Sequence, residues 1–522
     1  MKNFVRKTVL KLGGVSLSDL EFINRDLILT PVGLDDLSDA ARLNSARAVV
    51  FDLSNRKRLQ FKTFLGPIFE RCADAGLLTI IYVIDDQIGG QVIDMREKFK
   101  DSLSAKTKSS LDRWIVLEKE PSKIAERCAR RDPGPPIESL NIFHLQESSY
   151  PLGNNPLSPQ TECLLNRAFH DCKSITVRRL YGGKSAEDTF QVFANPEGPI
   201  AGPQPMPFFV KMGAWDSNLA KERTNYLERA QPFIPFHLRP SLNRDRSIEG
   251  LKLSALVYDF VENAVPLRTA LKQGHGDGVL FSLFEHTLRG LRSHTEGSKP
   301  VAGTVNAFVT ERVRSQEIPN DRVETAKALG LKRLPRTIEK CLRGLAASRP
   351  GIRGFYHGDL HAGNVMVRHR DAILIDFGSM EGFGPLAADP AILEVSLLFG
   401  MDGSEDQTGF DKWVAFVNRM LASPCEPPPP SAITPKNYEC LWLEDAIREL
   451  RHVVVCCGSD ELDLLIVLAA ALLRYGRISP LESGSDELKK LDERRHAYAI
   501  VCADNVTRLA MQCEKKSQSN KI

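Results

Sequence analysis

The stretch from Gly351 to Gly384, GIRGFYHGDLHAGNVMVRHRDAILIDFGSMEGFG, constrains this 522-residue chain more than any other. Two short apolar runs, Val365–Val367 and Ala372–Ile375, flank the charged tetrapeptide Arg368-His369-Arg370-Asp371, which predicts two strands joined by a tight turn. A hairpin returns the chain to where it left, so Asn364 before the first strand and Asp376 after the second are expected side by side. Their side-chain oxygens suit magnesium, which takes few protein ligands and completes its shell with water and phosphate oxygens. Asp359, on the loop ahead, is placed to accept a hydrogen bond from an incoming hydroxyl and orient it toward a phosphoryl group. Asp359, Asn364 and Asp376 are therefore the catalytic candidates, with Asn364 and Asp376 as metal ligands. Asp, Asn, Gly and His are also ordinary turn residues, and it is their number at fixed spacing that separates this segment from a polar loop. Gly358 and Gly363 are expected to serve the backbone.

His357-Gly358-Asp359, with His361, Asn364 and Asp376-Phe377-Gly378, resembles the signature of the aminoglycoside phosphotransferase and choline kinase-like families. These write H-G-D-x-H-x-x-N where protein kinases write H-R-D. His361, Gly384-Pro385, Asp389 and Glu394 resemble the same branch, in which small molecules are the usual acceptors. The resemblance implies a bilobal protein-kinase-like fold, α+β with extra helices, and implies that Asp389 braces the catalytic loop, a helix N-cap being the alternative for that residue. Asp376-Phe377-Gly378 runs almost directly into Gly384-Pro385, without the long activation loop ending in A-P-E that docks peptide substrates. A protein acceptor is thereby disfavoured.

Upstream, Tyr181-Gly182-Gly183-Lys184-Ser185 lies between the apolar runs Ile175-Thr176-Val177 and Phe190-Gln191-Val192-Phe193. Such a turn lets backbone N–H groups approach phosphate oxygens, although a Gly-Gly hairpin is commonly only a hairpin. Gly182, Gly183, Lys184 and Ser185 are the expected phosphate cradle. The strand Phe208–Lys211 follows, and by the resemblance Lys211 grips the α and β phosphates while Glu222, on the helical run Leu219–Ala230, pairs with it. Leu253–Phe260 reads as a strand leading into Tyr258-Asp259-Phe260-Val261-Glu262, the expected hinge. There Tyr258 and Phe260 would border the base, read through main chain and so compatible with ATP or GTP.

Ahead of this lies a different pattern. Thr8–Lys11, Leu27–Thr30, Ala48–Leu53, Leu78–Ile84 and Arg113–Leu117 read as strands, with helices at Arg58–Ala75 and Ile93–Leu103, an order that predicts a doubly wound α/β parallel sheet of five strands. This part resembles the receiver domains of response regulators, with Asp52 at the end of the third strand and Lys119 two residues before Pro121. The first strand, however, ends Leu12-Gly13-Gly14 without the acidic pair that holds magnesium, which implies a degenerate receiver-like domain that meets a protein partner.

The expected division is 1–131 receiver-like, 132–158 a Pro-, Ser- and Gly-rich linker, 159–263 small lobe, 264–513 large lobe and 514–522 a polar tail without regular structure. A formal charge of +3, from 69 basic and 66 acidic residues, argues against a nucleic-acid or membrane partner. Eleven scattered cysteines without a CxxC pair fit a reducing cytoplasm. The longest apolar run, Leu464–Leu473, is about half of what a bilayer requires and reads as a buried helix. The expected function is transfer of the terminal phosphate of a magnesium-bound nucleoside triphosphate, ATP or GTP, to a hydroxyl on a small molecule. A nucleotide-binding pseudokinase scaffold and a nucleotidyl transferase on the same fold are the alternatives. The acceptor stays open, since Glu444, Asp445, Asp460, Glu461 and Asp463 could line an acidic aminoglycoside-type site or be ordinary surface charges.

Overall fold

The computed structural model describes residues 6–12, 17, 19–33, 35–38, 43, 46–52, 68–69, 71–83, 90, 93–94, 97, 114–130, 140–145, 157–180, 187–196, 205–214, 218–250, 253–274, 278–293, 301–347, 349–351, 353–400, 409–426, 441–456, 460–479 and 485–519. The chain divides into two units, residues 1–223 with 241–260, and residues 224–240 with 261–522.

In the first unit, the strands β1 (Thr8–Leu12), β2 (Ile28–Pro31), β3 (Ala46–Asp52), β4 (Leu78–Tyr82) and β5 (Ile115–Glu118) form a wholly parallel sheet in the order β2-β1-β3-β4-β5. That order is the flavodoxin-like one. Successive side chains leave a strand on opposite faces, so one run of apolar residues feeds two cores. Val49, Phe51 and Ile81 pack with Phe69 and Cys72 on one face. Ala48, Val50 and Ile80 pack on the other with Phe22 of α1 (Asp19–Ile23) and with Ile124, Ala125 and Cys128 of α2 (Pro121–Arg130). The helices expected at 58–75 and 93–103 lie largely outside the described residues.

A second sheet completes this unit: β6 (Asn141–His144), β7 (Cys172–Leu180), β8 (Asp188–Pro196), β9 (Met206–Gly213), β10 (Ile248–Glu249) and β11 (Ser254–Asp259), in the order β10-β11-β9-β8-β7-β6. All its pairings are antiparallel except β6 with β7. The stretch 132–158, expected as a linker, thus contributes a strand, with Ile142 opposite Ile175. Four residues are too few to register as a period against Pro- and Ser-rich surroundings, while the open edge of β7 supplies the missing hydrogen bonds. The remainder of that stretch is mostly outside the described residues. Next, α3 (Pro159–Ala168) starts where Ser158 Oγ accepts from the Thr161 N–H at 3.1 Å and Pro159 enters the first turn. It buries Leu164, Leu165 and Ala168 against the sheet. From its other side the buried Arg167 donates to the carbonyls of Asp74 (2.5 Å) and Glu249 (3.3 Å), joining the two sheets of this unit.

The second unit is mainly helical. The short helix α4 (Ala220–Asn225) carries the chain from the first unit into it. Small sheets follow, β12 (Val265–Pro266) beside β16 (Val365–Arg368) and β17 (Asp371–Leu374), β13 (Val301–Ala302) with β14 (Pro350–Gly351), and β15 (Arg353–Tyr356) with β18 (Glu381–Pro385). The helices that matter below are α5 (Thr304–Arg312), α6 (Ala388–Phe399), α7 (Leu441–Cys456), α8 (Glu461–Tyr475) and α9 (Asp486–Ser519). Leu464–Leu473 lies buried within α8, as expected. No helix among the described residues is long and apolar enough to cross a membrane. The tail from Glu514, expected to lack regular structure, continues α9 as far as Ser519. Glu514, Lys515 and Lys516 are good helix formers extending a helix that already exists, so no nucleation cost arises.

Candidate active site

In the second unit, β16 and β17 pair Val365 with Leu374, and the turn between them places His369 at φ 58°. The Ile375 N–H donates to the Asn364 carbonyl at 3.0 Å, which closes the open end of the hairpin and brings the backbones of Asn364 and Asp376 abreast. Asp376 sits at φ 59°, a left-handed conformation that Asp tolerates better than most residues, and its Oδ1 accepts from the Gly378 N–H at 3.3 Å. Asn364 is buried, and its Nδ2 donates to the Asp359 carbonyl at 2.9 Å. The amide is thereby oriented with Oδ1 as the atom that can ligate a cation.

The loop bearing Asp359 is held from below. Asp389, at the start of α6, accepts from the N–H groups of His357 (2.8 Å) and Gly358 (3.0 Å), the bracing role that the family resemblance implied. His357 is fully buried; the Asp359 N–H donates to its Nδ1 at 3.3 Å, and its Nε2 lies 3.2 Å from the Ile375 carbonyl. That pattern places the proton on Nε2 and ties the loop to the end of β17. Gly358 has φ 78°, and a Cβ there would stand 2.4 Å from the Ser379 carbonyl oxygen, so glycine is required. His361 Nδ1 accepts from the Gly363 N–H at 3.1 Å, capping the turn Ala362–Asn364 that delivers Asn364. Burial pushes the His361 imidazole below its ordinary value, which keeps that acceptor nitrogen unprotonated.

Asp359 is not a free carboxylate. Arg474, at the end of α8, donates from Nη2 to its Oδ1 at 2.7 Å. Burial by itself would raise the Asp359 carboxyl, but Arg474 holds it below the usual carboxylate range. Sequence reasoning missed this partner, and it also missed Asn225 and Arg229. Asn225 donates to the carbonyls of Phe377 (3.0 Å) and Gly378 (3.2 Å), and Arg229 donates to that of Met380 at 2.7 Å, gripping the turn just past Asp376.

In the first unit, Lys211 occupies the central strand β9, opposite Thr189 of β8 and Leu256 of β11. Its Nζ lies 2.8 Å from Glu222 Oε2, with both side chains buried. The Tyr258 hydroxyl donates to the other carboxylate oxygen of Glu222 at 3.0 Å. Tyr258, expected at the base, therefore braces Glu222 with its side chain. The Phe260 N–H reaches the Pro207 carbonyl at 3.3 Å. Gly182, Gly183, Lys184 and Ser185 lie outside the described residues, in the connection between the antiparallel strands β7 and β8.

The donor types suit magnesium: Asn364 and Asp376 supply one amide and one carboxylate from adjacent backbone positions at the closed end of the hairpin, and magnesium takes few protein ligands. Among the described residues no three His, Cys, Asp or Glu side chains gather into a metal cage, and magnesium does not require one.

Residues 265–503 match a family model described as ternary complex associated domain 9. No curated protein matches the sequence. Among solved structures the chain is similar to the aminoglycoside phosphotransferase APH(4)-Ia, at 14% identity over 65% of this chain and 96% of that one, with a TM-score of 0.39. A thermostable mutant of the same enzyme, in ternary complex with ADP and hygromycin B, matches at 14% identity over 65% and 96%, with a TM-score of 0.37. Choline kinase from Cryptosporidium parvum Iowa II matches at 11% identity over 66% and 91%, with a TM-score of 0.36.

Proposed function

We propose that the protein is a phosphotransferase that moves the terminal phosphoryl group of a magnesium-bound nucleoside triphosphate, ATP or GTP, to a hydroxyl on a small molecule. The observation that supports this reading is the closed hairpin end, where the Ile375–Asn364 backbone bond brings Asn364 and Asp376 to adjacent backbone positions beside a loop whose carboxylate, Asp359, Arg474 holds below the usual carboxylate range. Magnesium held by Asn364 and Asp376 would neutralise charge on the phosphate oxygens. Lys211, kept in place by Glu222 and Tyr258, would hold the α and β phosphates. Asp359 would accept the hydrogen bond of the acceptor hydroxyl and orient its oxygen. The new bond joins that oxygen to the γ phosphorus, the bridging bond to the β phosphate breaks, and the nucleoside diphosphate leaves. The hydroxyl proton passes by way of Asp359 to solvent. Catalysis on this plan comes from positioning and charge stabilisation. The five-stranded domain we read as a receiver-like module that meets a protein partner.

The test separates nucleotide binding from chemistry. Asp376→Ala should abolish both turnover and the rise in melting temperature caused by magnesium nucleotide. Asp359→Ala should lose turnover by about a hundredfold or more while retaining that rise. Equal loss of nucleotide binding in both variants contradicts the assignment. A wild-type protein unmoved by either magnesium nucleotide favours the scaffold reading.

A further inference from the structure

The surroundings of Asp359 carry information about the acceptor. Moving outward from Asp359, Arg474 comes first. Arg477 follows one turn later, its N–H donating to the Arg474 carbonyl at 3.0 Å. The Arg477 guanidinium meets Glu317 at 2.7 Å, and Arg314 meets the other oxygen of the same carboxylate at 3.5 Å. Arg312 of α5 comes so close to Gly358 that a Cβ there would stand 2.6 Å from one of its nitrogens. Three arginines thus hold two carboxylates, Asp359 and Glu317, and a fourth, Arg312, stands beside the loop that carries Asp359. Side-chain exposure rises outward, from 15% at Arg474 to 23% at Arg477 and 56% at Arg314, so the group opens to solvent. Arg477 titrates below the usual arginine value, first through burial and then through the like charges of Arg474 and Arg314, despite the opposing effect of Glu317.

Four of the five carboxylates expected to receive a cationic acceptor are engaged elsewhere. Glu444 binds Arg419 and Arg448, Asp445 binds Arg448, and Asp460 and Asp463 bind Arg349. We propose that the acceptor carries an anionic group, a carboxylate or a phosphate, near the hydroxyl that is phosphorylated, and that Arg474 and Arg477 receive it. The proposal rests on the phosphotransferase reading and narrows its substrate class. A planar guanidinium presents parallel N–H donors that match both oxyanions. Among the described residues each of these two arginines is engaged by a side chain through a single nitrogen, Nη2 of Arg474 and Nη1 of Arg477. An anion drawing Arg474 toward itself would release Asp359 Oδ1 for the acceptor hydroxyl.

The experiment is calorimetric binding, in near-physiological salt, of matched hydroxyl compounds: glycerol 3-phosphate, glycerate, glycerol and choline. At least one anion should bind about tenfold or more tightly than glycerol and choline, and Arg477→Gln should weaken it by a similar factor. Arg314→Gln, farther out and more exposed, should weaken it less, and the melting temperature of both variants checks that they fold. The proposal is overturned if glycerol or choline binds as tightly as the anions, if neither anion binds at millimolar concentration, or if Arg477→Gln leaves anion affinity unchanged. Anion binding without any magnesium-nucleotide response or phosphorylated product supports the anion site and rejects the phosphotransferase reading, so the two fail separately.

Discussion

Asp359 shows how one side chain is tuned by a neighbour from far along the chain. Arg474 stands 115 residues away and holds the Asp359 carboxyl below its usual range against the opposing effect of burial. The sign follows directly. With the folded-state value depressed, the ion pair stabilises the protein above about pH 4 and is lost as the pH falls further. Removing Arg474 takes away the largest of the lowering influences and leaves burial opposed only by the neighbouring His361 and His357, so the Asp359 value rises. The acidic limb of the kcat profile should accordingly move to higher pH in Arg474→Gln than in wild type, measured from pH 4 to 8 on background nucleotide hydrolysis. A loss of thermal stability with an unmoved limb would make Arg474 a packing residue only. The adjacency of Asn364 and Asp376 was legible in the sequence, because the two flank one short hairpin. The role of Tyr258 was not, since nothing local says that its hydroxyl turns to Glu222.

Among elements, the hairpin β16–β17 and the strands of the five-stranded sheet were readable because alternation and turn chemistry act over a few residues. Contacts between helices were less so. Glu394, in the middle of α6, forms a buried pair with Arg451 of α7 at 2.8 Å, and Arg451 also donates to the carbonyls of Met420, Ser423 and Glu426. Removing one member of such a pair strands the other charge without water. Glu394→Ala and Arg451→Ala should each cost about 3–5 kcal/mol in urea unfolding. The double change Glu394→Leu with Arg451→Met should cost clearly less than the sum of the two, because no uncompensated charge remains. Strictly additive losses would show that the pair is not the stabilising contact.

At the scale of the whole chain, the composition of residues 132–158 predicts easy cleavage, yet Asn141–His144 is paired to β7 and Arg167 joins the two sheets of the first unit. Limited proteolysis should therefore cut at 132–139 or 146–156 and spare 141–144, as identified by mass spectrometry of the fragments. The two fragments should still co-elute on gel filtration. Arg167→Ala, which removes the buried donor to the Asp74 and Glu249 carbonyls, should weaken that association. Fragments that separate in the wild type, or first cleavage within 141–144, would contradict this arrangement.

What the sequence by itself determined is what the backbone repeats within a few residues: five strands of one parallel sheet, a loop entering the hairpin Val365–Leu374, and a buried helix at Leu464–Leu473. Tertiary structure alone decided which distant groups meet. Asn225 reaches Phe377 across 152 residues, Arg474 reaches Asp359 across 115, and a four-residue strand inside a Pro-rich stretch pairs with β7. The physical reason is degeneracy. Any of 69 basic side chains can pair with any of 66 acidic ones at similar intrinsic energy, and only the packing of apolar faces, completed around them, selects the pairs that form.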